Sequence, residues 1–325
     1  MAQKRIEVTR GMIRVAVVGV GHFGREHARI YANSTGAQLV AVCDIDPSSG
    51  AAVAKLYGTE LVTDFRELIG KVDAVSLAVP TVSHPAIACE LLDAGISVLM
   101  EKPISQTLDE ADRINGAAAR GRGVLQIGHL ERFNPAVAAA SLIVSRPLFF
   151  EAHRLSVFTP RSLDIDVVMD LMIHDIDVVL SFVKSDVREV RAAGVPILTP
   201  KVDIANARIE FDNGCVANLT ASRVSSERVR KLRFFQPHEY ISIDYSAQEA
   251  AIVSVKPNAA GKLAFDSRSL QVERDEPLRL EIESFLRAVE GGPVRVTGQD
   301  GRRALELAVE ITNKIREHAS RAGIG

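Results

Sequence analysis

Hydrophobic and polar positions divide the chain into two stretches of different rhythm. From residue 13 to about residue 128, short apolar runs alternate with segments whose apolar positions recur at helical spacing. The runs are 13–18, 39–43, 74–79, 97–100 and 124–127, and the helical segments include 85–94 and 108–120. Strands that are apolar throughout, separated by helices, predict βαβ crossovers and a buried parallel sheet. After Pro147 the rhythm changes. Segments 149–157, 216–222, 228–235 and 240–245 read as strands joined by short polar turns, with one helical stretch at 167–183. Consecutive strands with a single helix predict a largely antiparallel sheet covered on one face. Two amphipathic segments, 277–289 and 301–318, close the chain. The expected fold class is α/β: a doubly wound parallel sheet of Rossmann type, followed by an α+β domain with a largely antiparallel open sheet. The chain of 325 residues has room for two domains. Expected boundaries are 13–130 for nucleotide binding and 131–325 for substrate binding and oligomerisation, after a disordered extension at 1–12.

The first apolar run ends in Gly19-Val20-Gly21-His22-Phe23-Gly24, and a helical stretch leads to a second run closed by Asp44. In a strand–turn–helix each glycine answers a separate need. Gly19 permits the tight turn, Gly21 admits a pyrophosphate close to the backbone, and Gly24 allows close helix–strand packing. The helix N-terminus adds free N–H groups and partial positive charge for phosphates. Asp44 stands where a carboxylate accepts hydrogen bonds from adenosine ribose hydroxyls. That carboxylate repels the 2′-phosphate of NADP, and Ile45, Asp46 and Pro47 bring no cation to meet it, so NAD is the expected cofactor. The competing reading is a structural turn in a cofactor-free α/β domain.

Charge and cysteines narrow the class. A net charge of −2 leaves no electrostatic footprint for nucleic acid or an anionic membrane. Cys43, Cys89 and Cys215 are far apart and form no C-x-x-C; they read as small hydrophobes of a reducing cytosol, and a cytoplasmic location is expected. Residues 1–11 lack the apolar centre of a signal peptide, and Met12 offers an alternative start. No uninterrupted apolar run approaches the ~18 residues of a membrane span.

Ligands of parallel sheets sit beyond the carboxyl ends of the strands. That rule selects the glycine turn, residues 80–84 with Thr81 and His84, and Glu101-Lys102-Pro103. Lys102 follows a strand end and precedes a proline, where a cis bond would fix its direction; it reads equally as a solvated lysine. In the segment 167–183, Asp166, Asp170, His174 and Asp177 fall on one stripe of an ideal helix. A histidine one turn from a carboxylate is a usable general base, or else a capped structural pair. Just after the last parallel strand, Arg132 could grip a carboxylate or phosphate and Asn134 could donate and accept; the alternative is an interdomain hinge. Arg223, Arg228, Arg230, Lys231 and Arg233 form a basic stretch, either a solvated sheet face or a diphosphate site. His22, His84 and His129 stand near these segments, with packing or capping as the alternative reading.

Together these residues resemble the glucose–fructose oxidoreductase / inositol dehydrogenase / MocA-like oxidoreductases. The resemblance runs from Val15-Ala-Val-Val-Gly to Asp300-Gly-Arg-Arg-Ala-Leu-Glu, and its most specific marks are Glu101-Lys102-Pro103 and Asp170-x-x-x-His174. It implies Lys102, Asp170 and His174 as the catalytic set, with no metal. It implies NAD bound by Gly19, Gly21, His22, Phe23, Gly24, Asp44, Thr81, His84, Glu101 and Lys102. Substrate contacts are expected from Lys102, Arg132, Phe133, Asn134, Asp170 and His174. Within the family, Gly128-His129-x-Glu131-Arg132-Phe133-Asn134-Pro135 and Met169-Asp-Leu-Met-Ile-His-Asp-Ile-Asp are most similar to the UDP-N-acetylglucosamine 3-dehydrogenases. That branch makes a 3-keto sugar nucleotide for an aminotransferase, on the way to the 3-amino sugar of some lipid A. A homodimer or homotetramer paired through the open sheet face is also implied. The alternatives are a polyol or inositol dehydrogenase on the same chemistry, and a non-catalytic NAD-binding regulator.

Overall fold

The computed structural model describes residues 11–159, 165–257 and 263–323. The expected extension at 1–12 falls outside them except for its last two residues. Two compact units are present. The first takes everything up to Glu101, with Arg113–Gln126 and Ile282–Arg295; the second takes Lys102–Asp112, Ile127–Glu281 and Val296–Gly325.

The N-terminal sheet grows from the apolar runs. Its elements are β1 (Ile13–Val18), α1 (His22–Ala32), β2 (Ala37–Cys43), α2 (Pro47–Tyr57), β3 (Glu60–Val62), β4 (Ala74–Leu77), α3 (His84–Asp93), β5 (Ser97–Glu101), α4 (Leu108–Arg120) and β6 (Leu125–Gly128). The strands lie in the order β3-β2-β1-β4-β5-β6, and β1 pairs in parallel with both β2 and β4. Val15, Val17, Val75 and Val98 are wholly buried, as strands covered on both faces require. The pattern of apolar runs predicted neither α2 nor β3. The start of α2 is nonetheless written locally: the Asp46 side chain accepts from the Ser48 N–H, Pro47 opens the first turn, and Gly58 closes the helix in the left-handed region.

The second unit contains α5 (Pro135–Ser141), β7 (Phe149–Leu155), α6 (Ile173–Val183), β8 (Val187–Val195), β9 (Ile204–Phe211), β10 (Val216–Ser222), β11 (Val229–Gln236), β12 (Glu239–Asp244), β13 (Glu249–Pro257) and β14 (Leu263–Ser269). Helices α7 (Pro277–Val289) and α8 (Gly298–Ala322) end the chain. The eight strands run in the order β14-β13-β12-β11-β7-β10-β9-β8. All neighbours are antiparallel except β7 and β10, which run in parallel at the centre. Strict alternation places Phe150, Ala152, Leu219, Leu232, Phe234, Ile241 and Ile243 in the core. Phe182 of α6 meets Phe234 at a ring separation of 5.6 Å, and Phe150 stacks on Phe234 at 5.4 Å. Among the described residues, no helix is long and apolar enough to cross a membrane.

Candidate active site

In the first unit the glycine turn has the construction its spacing predicts. Gly19 has φ +83°, and a Cβ there would come within 2.6 Å of the Ala78 carbonyl oxygen. A Cβ on Gly24 would lie 1.8 Å from the Gly19 carbonyl oxygen, so helix and turn touch only because it is absent. At Gly21 a Cβ would meet nothing within 4 Å. Gly21 is also the N-cap of α1 and supplies no side-chain cap, so the first N–H groups of the helix face open space. A pyrophosphate fits this cradle in size and charge. Asp44 follows β2, with one carboxylate oxygen accepting from the Val20 N–H at 2.8 Å and the other from the Asp46 N–H at 2.9 Å. Each oxygen keeps acceptor capacity for a ribose hydroxyl.

The other nucleotide candidates divide. His22 and Phe23 are exposed on the first turn of α1, ring edge to ring face at 5.5 Å. Thr81 is half-buried at the turn after β4. His84 is tied into the turn that follows β4. It is 1% exposed, and its Nε2 lies 3.1 Å from the Val79 carbonyl oxygen, tying down the turn. Glu101 is anchored by a residue the pattern did not single out: His27 Nε2 lies 3.1 Å from its carboxylate. The chain of polar groups continues from His27 to the Ser76 hydroxyl at 3.0 Å and on to the Tyr31 hydroxyl at 2.9 Å. A histidine on the buried face of α1 was the available signal.

Lys102 opens the second unit, and the Lys102–Pro103 bond is cis, as its setting predicted. Its ammonium donates to the backbone carbonyl of Asp170 at 2.9 Å and lies 3.7 Å from the Asp170 carboxylate. The expected Asp170–His174 pair is therefore replaced by an Asp170–Lys102 pair. The cause is local: residues Val168–Met172 form a π-turn before α6, and a wider turn breaks the four-residue stacking on which the stripe depends. Asp166 accepts from the Val202 N–H at 3.2 Å instead, and Asp177 pairs with Arg132. His174 Nδ1 is buried without a hydrogen-bond partner, which leaves Nε2 as the open ring nitrogen. Burial, reinforced by the charges of Lys102 and Arg154, holds the imidazole well below its ordinary pKa and keeps it neutral.

Behind His174 lies a charged cluster that sequence reasoning missed. Arg154, 2% exposed, donates to both oxygens of Asp175 at 2.8 and 3.1 Å and to Glu131 at 2.9 Å. Its guanidinium lies 5.0 Å from the Tyr245 ring centre. Asp175 is the residue after His174, so the cluster fixes the backbone that carries the imidazole. An arginine in phase with Phe150 and Ala152 on the core face of β7 was the readable signal.

The 132–134 segment is tied closely into the second unit. Phe133 is 1% and Asn134 2% exposed. The Asn134 amide donates to the Tyr245 carbonyl at 3.0 Å and to Glu131 at 3.2 Å, while its oxygen accepts from the Ala136 N–H to cap α5. The fold thus holds the Asn134 side chain in place. Arg132 reaches Asp177 at 3.3 Å, and burial pushes that carboxyl up to about 7 in spite of the cation.

Fold and residues together define an NAD-binding oxidoreductase. Residues 13–129 match the model of the oxidoreductase family with an NAD-binding Rossmann fold, and residues 145–236 match the GFO/IDH/MocA C-terminal domain. The chain is 38% identical over 305 residues to the UDP-N-acetylglucosamine 3-dehydrogenase of Acidithiobacillus ferrooxidans, covering 92% of this chain and 96% of the relative. A solved structure of that enzyme superposes with a TM-score of 0.88 at 37% identity, covering 94% of this chain and 98% of that one. The scyllo-inositol 2-dehydrogenase (NAD(+)) of Bacillus subtilis is 27% identical, with 94% of each chain covered. The protein belongs to the GFO/IDH/MocA oxidoreductase family.

Proposed function

We propose that this enzyme oxidises the C3 hydroxyl of UDP-N-acetylglucosamine to the 3-keto sugar nucleotide. One observation carries the reading: the likeness to the Acidithiobacillus UDP-N-acetylglucosamine 3-dehydrogenase extends over 92% of the chain, and so over the substrate unit as well as the nucleotide unit. In this scheme Gly19, Gly21, Gly24 and the start of α1 hold the cofactor pyrophosphate, Asp44 takes the ribose hydroxyls, and His22, Phe23, Thr81 and Glu101 border it. NAD, when bound, supplies the hydride acceptor. His174 is neutral and has Nε2 open, so it accepts the proton of the sugar hydroxyl. The Lys102 ammonium hydrogen-bonds the oxygen as negative charge develops on it. Asp170 steadies that ammonium through its carbonyl and carboxylate. Arg132, tethered to Asp177, orients the substrate side of the second unit. The product suits an aminotransferase that installs a 3-amino group, and we assign the enzyme to the cytoplasm as a homodimer or homotetramer.

The test is NADH formation from NAD with UDP-N-acetylglucosamine, free N-acetylglucosamine and myo-inositol. Binding energy from the UDP group positions a ring it does not react with, so truncation should lower kcat as well as affinity. We expect kcat/KM for the sugar nucleotide to exceed the others by about a hundredfold or more. Comparable values for myo-inositol would replace this reading with a polyol dehydrogenase.

A further inference from the structure

The basic run 223–233 is not one surface. Arg223 is buried, donates to the Ile165 carbonyl and lies 3.9 Å from Asp203. Lys231 pairs with Asp244 at 3.5 Å and Arg233 with Glu151 at 3.5 Å, both on the solvent face of the sheet. Arg230 is in phase with the wholly buried Leu232 and Phe234, so its side chain leaves the strand on the core face.

On that face Arg230 stands directly across from Arg154 in the β7–β11 register. Like charges directly opposite each other destabilise a sheet. Arg154 has taken both nearby carboxylates, Glu131 and Asp175, through three hydrogen bonds. Arg230 makes no ion pair with any described residue, and its Nε is closed to solvent without a hydrogen-bond partner. Glu131 and Asp175 act on its charge from a distance, but distance leaves Nε without an acceptor. A half-buried guanidinium without an ion pair is thus held next to the cluster that carries His174, with its Nε unsatisfied.

We propose that Arg230 is the anion-binding group of the substrate site and takes the diphosphate of the sugar nucleotide. This rests on the reading of the substrate given above. A guanidinium offers a planar fork of donors matched to phosphate oxygens. The arrangement explains why a stability cost is tolerated: the missing partner arrives with the substrate. It also separates two tasks, since Arg154 fixes the His174 backbone and Arg230 remains free to bind.

The experiment compares wild type with Arg230→Gln, Arg230→Lys and the solvent-face control Lys231→Gln. Binding of UDP, uridine and inorganic pyrophosphate is measured by calorimetry with saturating NAD present, so that the start of α1 is filled. Thermal midpoints are recorded in parallel. We expect Arg230→Gln to weaken UDP and pyrophosphate about tenfold or more, the scale of a lost charged hydrogen bond, and to leave uridine unchanged. Arg230→Lys should recover part of the loss, and Lys231→Gln should change nothing. The Arg230→Gln midpoint should stay level or rise, because a half-buried cation without an ion pair is removed. UDP bound equally by wild type and Arg230→Gln would overturn the proposal. So would a fall in midpoint without a loss of UDP, which would make Arg230 a counter-ion of the Arg154 cluster. If UDP-N-acetylglucosamine is not oxidised but pyrophosphate binding depends on Arg230, the anion site stands and the sugar assignment falls.

Discussion

In the nucleotide unit, the groups proposed to meet a phosphate are backbone N–H groups at the start of α1, in a turn shaped by three glycines and steadied by one acid. All of them lie within a single strand–helix–strand. In the substrate unit, the proposed working groups are side chains: the Lys102–Asp170 pair, and a neutral His174 whose neighbour Asp175 is held with Glu131 by Arg154. The first site is rigid because its backbone is pinned. The second is rigid only as long as its charges stay matched. Substitution should therefore damage the two in different ways, the first through ligand affinity and the second through stability and turnover together.

The sharpest way to break this contrast is Arg154→Leu. Removing the cation takes from Glu131 and Asp175 the three hydrogen bonds of their buried ion pairs, which costs about 3–5 kcal/mol. At ~2–4 °C per kcal/mol for a protein of this size, the thermal midpoint should fall by roughly 10 °C. A fall equivalent to less than about 1 kcal/mol would mean that the second site does not depend on matched charge.

Next in size are Lys102→Met and His174→Ala, each expected to lower kcat by about 10²-fold or more, the scale of lost acid–base help. The dissociation constant of NAD should stay unchanged, since the cradle for its phosphates belongs to the first unit. Either variant turning over UDP-N-acetylglucosamine at nearly the wild-type rate would remove that residue from the mechanism. Burial and Lys102 lower the His174 pKa, so the base stays competent below pH 6.5 and the acid limb of kcat/KM in wild type should lie below that value. The stability contribution has the same sign. It is complete above pH 6.5 and declines as the pH falls toward the folded pKa.

Asp44→Ala examines the nucleotide unit. It removes ribose acceptors, the charge that repels a 2′-phosphate and the acceptor of the Val20 N–H, so NAD should weaken about tenfold and NADP by less. Equal losses for both nucleotides in a binding titration would separate Asp44 from cofactor choice.

The smallest effect is expected at Asp177. Its carboxyl keeps its proton up to about 7 in the fold, against an ordinary value of 3.8. Its contribution is complete below pH 3.8 and is lost as the pH rises through about 7. The midpoint of wild type minus that of Asp177→Asn should thus drop by a few degrees over this range. A flat difference would show that Arg132 alone sets the state of the carboxyl.

The same contrast decides what could be read from the amino-acid sequence. The glycine turn and Asp44 were legible because every requirement they meet is local: a left-handed residue, a close approach, an acid at the next strand end. The cis bond at Lys102–Pro103 was legible for the same reason. Asp170 and His174 were found by their spacing, but their relation was misjudged because the π-turn at Val168–Met172 does not announce itself in the pattern. The Arg154 cluster went unread because its members are brought together by the β7 register and α6, not by neighbourhood along the chain. The burial of Asn134 and its capping of α5 were not legible, because a polar residue in a loop leaves its burial unstated. Strands β8 and β9 were also missed, since their polar solvent face dilutes the apolar signal.

Asp44 hydrogen-bonds the Val20 N–H of the glycine turn, and this has a consequence for how such an enzyme can change its cofactor. The residue proposed to recognise the ribose also fastens the loop that cradles the phosphates. A lineage drifting toward NADP cannot simply exchange this acid for a neutral residue, because the turn would lose its fastening in the same step. Selection would have to supply a replacement acceptor for the Val20 N–H first, or keep Asp44 and add a cation beside it. Cofactor preference here is inherited together with the integrity of the loop, and an engineer who wants one without the other must redesign both.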